Sequence, residues 1–233
     1  MGIYDNVMRV REGIAAAAAA AGRSEKDITL VAVSKTFGAD KINEAVAAGA
    51  LNIGENYVQE FMEKLPLIDQ AATLHFIGHL QSNKAKNVVG KVKYIQSCDR
   101  MSLAEEIERQ ARKLGTLQDV LIEINAGNEA SKSGISIEEA GELIFKVGEM
   151  PHIRVQGLMA IPPHVDDPAA SRPYFERLYK LFLDMDSKKS DNSTINMSVL
   201  SMGMSGDYEE AIRCGSTMVR VGTAIFGQRI YTK

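Results

Sequence analysis

A chain of 233 residues with 24 % charged and 45 % hydrophobic residues has the makeup of a globular protein long enough to bury a full core. Its 27 Lys and Arg against 30 Asp and Glu leave a formal charge of −3, and no basic run interleaves the aromatics, which argues against nucleic acid as a partner. Two cysteines, Cys98 and Cys214, cannot build a disulfide framework and point to a reducing, cytoplasmic setting.

The Ala-rich run at residues 15–21 is far shorter than the ~20 apolar residues of a membrane span and lacks the strong apolar centre of an export signal. It reads as helix, alanine being the best helix former, with Gly22 at its C-terminus. Residues 28–34 form a short, apolar, β-branched run, as a buried parallel strand should. A helix follows at 40–48 and stops at Gly49, then a strand at 51–53 and a helix at 57–68. A strand at 74–77 and a helix at 83–89 come next, and after them a strand at 92–96. The helix expected at 102–114 has Ser102 at its N-cap and Glu105 three residues on. The alternation continues with strands at 119–124, 153–160, 195–200 and 217–221. Helices at 137–147, 169–185 and 208–214 lie between these, and a closing turn or helix is expected at 223–226.

Eight strand–helix units without a dividing linker predict a single domain, 1–233, of (β/α)8 TIM-barrel class with an extra N-terminal helix. The rival is an open doubly wound sheet. It wants a Gly-rich turn after the first strand, where this chain has Ser34-Lys35-Thr36-Phe37-Gly38. In a barrel, function sits after the strands, which singles out Lys35, Glu55, Asn56, His79, Ser97, Asn125, Met159 and the segments 202–206 and 220–223.

Side chains alternate along a strand, so Val31, Val33 and Lys35 share one face. If that face fills the barrel, Lys35 stands at its mouth, where partial desolvation favours a neutral amine able to attack an aldehyde. The alternative is a lysine that snorkels to water. Met218 and Arg220 likewise share a face, either inward, where a guanidinium needs partners, or outward in a structural ion pair. The segments after the last two strands, 201–207 and 221–223, bring glycines, Ser205 and Thr223 to the place where barrels often receive phosphate. Asp207 counts mildly against an anion there, and plain turn and cap chemistry is the competing account. His75 and His79 lack a third ligand and neither cysteine sits in a CxxC, so no metal site is expected. His79 is expected to bond within the third strand–helix loop, and no GxSxG elbow supports a serine hydrolase.

Three long segments carry a family resemblance: Leu30-Val31-Ala32-Val33-Ser34-Lys35-Thr36, then Ile53-Gly54-Glu55-Asn56-Tyr57-Val58-Gln59-Glu60, and residues 75–84 from His75 to Lys84. Lys132-Ser133-Gly134, Gly157-Leu158-Met159, residues 200–207 and residues 220–227 continue it. On these segments the chain resembles the pyridoxal phosphate homeostasis proteins, small carriers of pyridoxal 5′-phosphate (PLP). The resemblance implies an alanine-racemase-like barrel, the PLP fold type III. It further implies that Lys35 holds PLP as a Schiff base, that Ser205, Gly222 and Thr223 cradle the phosphate, and that Arg220 faces the pyridine nitrogen. Asn56 is implied beside the ring, and Met202 and Met159 as pocket residues.

A guanidinium at the ring nitrogen disfavours its protonation and so weakens PLP as an electron sink. Alanine racemase adds a tyrosine from a second, β-rich domain, for which a chain ending at Lys233 leaves no room. The expectation is therefore an intracellular PLP carrier with downstream effects on amino-acid metabolism and without strong turnover. Its recipients would be PLP-dependent apo-enzymes, and it would be a monomer or weak homodimer with no membrane partner. The competing readings are a PLP-dependent amino-acid racemase, a Schiff-base aldolase acting on a sugar phosphate, and an interaction protein with a decayed site.

Overall fold

The apolar run after the first helix becomes β1 (Thr29–Val33), a strand that belongs to a closed parallel sheet. With it go β2 (Asn52–Glu55), β3 (Thr73–Phe76), β4 (Tyr94–Cys98), β5 (Gln118–Ile124), β6 (Ile153–Ala160), β7 (Ile195–Ser201) and β8 (Met218–Val221). Each strand pairs in parallel with the next, and β8 returns to β1 with Val31 opposite Arg220, so no sheet edge is left open. The computed structural model describes residues 2–127, 129, 133–163, 165, 167–189 and 194–228; Lys132 and the polar loop at 190–193 lie outside them.

Helices α2 (Ala39–Ala47), α3 (Val58–Lys64), α4 (Met101–Leu114), α5 (Ile137–Gly148), α6 (Arg172–Lys188), α7 (Tyr208–Arg213) and α8 (Thr223–Phe226) surround the sheet. The last of these is only four residues long and cannot cover its seam. That cover comes from α1 (Ile3–Ala20), which precedes the barrel. Its Ile3, Val7, Val10, Ile14, Ala17 and Ala18 recur at helical spacing and are buried in one cluster with Leu30, Ala32, Val219 and Val221. Each large side chain in that stripe contributes ~1.5–3 kcal/mol of apolar burial. Past its alanine-rich end, Gly22 takes the left-handed conformation (φ 68°) that closes the helix.

Several expectations shift, among them the following. The segment at 83–89 is a 3-10 turn over Ser82–Asn87, six residues rich in Ser and Asn, poor helix formers that bond their own backbone. Strand β4 begins at Tyr94, because Val92 packs in the outer core instead of pairing, and the strand runs on to Cys98. Ser97 is therefore inside a strand and fully buried. Ser102 is not the cap of α4: that helix starts one residue earlier, with extended Arg100 at the N-cap and no side-chain cap bond.

Candidate functional site

Alternation along β1 sends Leu30 and Ala32 outward to the helices and Val31 into the barrel, where it meets Leu121, Met159, Val199 and Met218. The same face continues to Val33 and Lys35, both of which line a cavity of about 460 Å³ at the C-terminal mouth of the barrel. That volume is within the usual range for a small-molecule site. Asn56, Ser205, Arg220, Gly222 and Thr223 line it too, together with apolar Ile77 and Ile161. Six of the eight residues expected from the sequence thus share one cavity.

The exceptions are Met202 and Met159. Ser201 turns into the barrel, so the next residue turns out, and Met202 is fully buried in the outer core beneath the helices. Met204 lines the cavity instead. Met159 sits in the inner cluster of the barrel and is not part of the cavity wall.

Three polar features shape the cavity. Asn56 Oδ1 is buried and has no hydrogen-bond partner among the described residues, an arrangement that costs energy. Ser205 Oγ accepts the backbone N–H of Gly222 at 3.2 Å and of Ala224 at 3.3 Å, so two donors at the start of α8 converge on one oxygen. A Cβ at Gly222 would come within 3.3 Å of the Val33 carbonyl oxygen, tighter than most real contacts. Asp207, the residue expected to oppose an anion, has its Oδ1 engaged by the Met204 N–H at 2.7 Å and its Oδ2 by the Ser171 hydroxyl at 3.4 Å.

Arg220 faces inward. Its Nη1 donates to Ser201 Oγ at 2.7 Å and its Nη2 to the Ala160 carbonyl at 2.9 Å. The bond continues through the barrel interior: Ser201 Oγ donates to Gln96 Oε1 at 2.7 Å, and Gln96 Nε2 donates to His75 Nδ1 at 3.0 Å. His75 Nε2 then donates to Asn52 Oδ1 at 3.1 Å, and acceptance at Nδ1 from Gln96 requires the neutral imidazole. Burial, with Lys93 adding to it, pushes the His75 pKa down to about 3. Burial lowers Arg220 to about 10, opposed by the charges of Glu123 and Asp207, so it stays cationic at neutral pH. Glu123 is pushed up to about 7 by burial and by Asp99, with Arg220 and Arg100 pulling the other way.

Nothing local in the sequence marks this chain of buried polar groups. Gln96 and Ser201 are ordinary strand residues there, and only the barrel's register brings them to one side. His79 departs from expectation as well: its Nδ1 meets Ser133 Oγ at 3.3 Å and Asp99 Oδ2 at 3.9 Å, partners from the loops after β5 and β4 and not from its own. Among the described residues no group of three or more His, Cys, Asp or Glu is placed to hold a metal ion.

The family model for the alanine racemase N-terminal domain matches residues 8–230. A pyridoxal phosphate homeostasis protein of Aquifex aeolicus is 42 % identical over 232 residues, 99 % of this chain and 100 % of the relative. A crystal structure of a protein from Bifidobacterium adolescentis superposes with a TM-score of 0.88 at 40 % identity, covering 96 % of this chain and 94 % of the other. A structure of PipY from Synechococcus elongatus with PLP bound superposes with a TM-score of 0.82 at 29 % identity, covering 97 % and 100 %.

Proposed function

This chain belongs to the pyridoxal phosphate homeostasis protein family, and from that premise we propose that it binds PLP at the barrel mouth and carries it for intracellular vitamin B6 homeostasis. The observation that carries this reading is the meeting of Lys35 with Ser205, Gly222 and Thr223 in one cavity of coenzyme size. When bound, the coenzyme supplies an aldehyde that an amine captures reversibly and a ring that withdraws electrons. Lys35 contributes the amine. Ser205, Thr223 and the N–H groups of Gly222 and Ala224 receive the phosphate, and the Ser205 oxygen already marks where those donors converge. The bare Cα of Gly222 keeps the floor of the cavity open. Asn56 offers its unpartnered oxygen from the wall.

Arg220 argues for holding over turnover. Its guanidinium is fixed by two hydrogen bonds, keeps its charge at neutral pH and lines the cavity, and the family resemblance implies that it faces the ring nitrogen. A cation there withholds the ring proton that carbanion chemistry needs. The relatives bear the name of homeostasis proteins, in keeping with a carrier. On this reading the carrier is one barrel domain in the cytoplasm, monomeric or weakly dimeric, and hands PLP to apo-enzymes. No helix among the described residues is long and apolar enough to cross a membrane.

The test is the absorption spectrum of the pure protein with PLP before and after borohydride. A band near the violet edge that borohydride removes, with the coenzyme left covalently attached, is the expected result. A spectrum of free PLP throughout overturns the reading. PLP at one hundred times its Kd should also raise the unfolding free energy by ~2.7 kcal/mol. Rapid loss of optical rotation from L-alanine would instead favour a racemase.

The phosphate cradle has its own test. Each hydrogen bond to a charged group is worth ~1.5–3 kcal/mol, so losing two in Ser205→Ala with Thr223→Ala is expected to weaken PLP binding by at least ~100-fold. Titration calorimetry reads this directly, and wild-type affinity in the double variant means the phosphate lies elsewhere.

A further inference from the structure

Lys35 sits at the bend of a tight turn whose conformation its own sequence opposes. The Phe37 N–H donates to the Ser34 carbonyl at 3.0 Å, so residues 34–37 form a β-turn with Lys35 and Thr36 at its centre. Thr36 has φ 72°, and it is the one non-glycine residue with positive φ among the described residues. Positive φ at the second central position, with none at the first, is the type II turn, which favours glycine there. A β-branched residue in that place is strained by ~1–3 kcal/mol and persists only when its surroundings over-determine it.

The constraint comes from α3 and β2. The Thr36 N–H donates to Glu60 Oε2 on α3 at 2.9 Å. The same oxygen accepts from Lys64 Nζ at 2.9 Å, one turn further along the helix. Lys64, largely buried, also donates to Glu55 Oε1 at 3.0 Å and to the Ser34 carbonyl at 3.3 Å. Ser34 Oγ closes the ring with a 2.6 Å bond to Glu55 Oε1. Both neighbours of Lys35 are thereby tied to one cluster behind the turn, while Lys35 itself lines the cavity in front.

We infer that Glu60 is a positioning residue for Lys35: by accepting the Thr36 N–H it holds the turn in the strained form that aims the amine into the cavity. Relaxing a type II turn to type I flips the peptide between its two central residues. Here that is the Lys35–Thr36 peptide, so relaxation turns the Thr36 N–H away and changes the backbone from which the Lys35 side chain departs. The affinity then falls with the fraction of molecules still in the competent turn.

This inference rests on Lys35 as the PLP-linking amine, and the experiment separates the two. Wild type, Glu60→Ala, Glu60→Gln and Thr36→Gly/Glu60→Ala are compared for PLP affinity and for borohydride-trapped coenzyme. Far-UV circular dichroism and melting curves check that each variant is folded. Glu60→Ala is expected to bind about tenfold more weakly and to trap less PLP at a fixed concentration. Glu60→Gln, which keeps an oxygen acceptor, is expected within about threefold of wild type. Thr36→Gly/Glu60→Ala is expected to recover most of the loss, because glycine takes positive φ without strain. Lys64→Met, which unties Glu60 by another route, is expected to show the same loss and the same rescue by Thr36→Gly. Wild-type binding by Glu60→Ala, or a loss that glycine does not recover, overturns the inference and leaves the PLP reading intact. Absence of trapping in wild type overturns the PLP reading itself.

Discussion

Lys35→Ala is expected to abolish borohydride trapping of PLP and to erase the violet-edge band, while leaving the fold unchanged. The side chain is only half-buried and lies at the open end of β1, so its removal leaves no closed core cavity to collapse. It is also the one lysine among the described residues that line the site. The surrounding wall offers apolar Val33, Ile77 and Ile161 and no second amine, so no neighbour can take over the condensation. The phosphate receptors stay in place. The variant is therefore expected to retain weak, reversible binding of PLP with the spectrum of the free aldehyde. Mass spectrometry after reduction gives the count of attached coenzyme directly. Stoichiometric attachment in Lys35→Ala would mean that another lysine carries the link, and the cavity at the barrel mouth would lose its role.

The barrel and the inward aim of Lys35 are legible in the sequence because each depends on short-range pattern. Period-two alternation in β1 places Val31, Val33 and Lys35 on one face without any knowledge of contacts, and the barrel closes with that face inside. The same rule, applied one residue past the end of β7, excludes Met202 from the cavity: Ser201 bonds inward to Gln96, so Met202 has to face the helices. Where the outcome depends on register between distant strands, the sequence is silent. Gln96 reaches His75 and Ser201 only through the register between strands, which sets His75 opposite Tyr94. The turn at Thr36 is equally hidden. Nothing local marks a threonine for positive φ, and the carboxylate that holds it comes from a helix 24 positions away.

Arg220→Met is expected to destabilise the protein by about 3–5 kcal/mol near pH 8.5, and by less near pH 5.5. The loss at both pH values includes the two hydrogen bonds to Ser201 Oγ and the Ala160 carbonyl. The pH-dependent part comes from Glu123. Its carboxyl has a folded-state pKa of about 7 against an ordinary value of 4.5, raised first by burial and then by Asp99, and one of its oxygens is buried without a partner among the described residues. An acid raised in this way binds more protons folded than unfolded. Its contribution to stability is full below about 4.5 and is lost as the pH rises through about 7. Arg220 is one of the charges that limits this rise, and at a pKa of about 10 it remains charged across the whole window. Removing it lifts Glu123 further, so the losing range extends upward and the gap between wild type and variant widens with pH. Each further tenfold weakening of the folded-state acid adds ~1.4 kcal/mol to the gap once both states are ionised. Urea unfolding at the two pH values measures the gap, with Glu123→Gln/Arg220→Met as the control in which the widening disappears. A gap of equal size at both pH values would show that the charge of Arg220 does not act on Glu123, and that its role at the barrel mouth is confined to its hydrogen bonds.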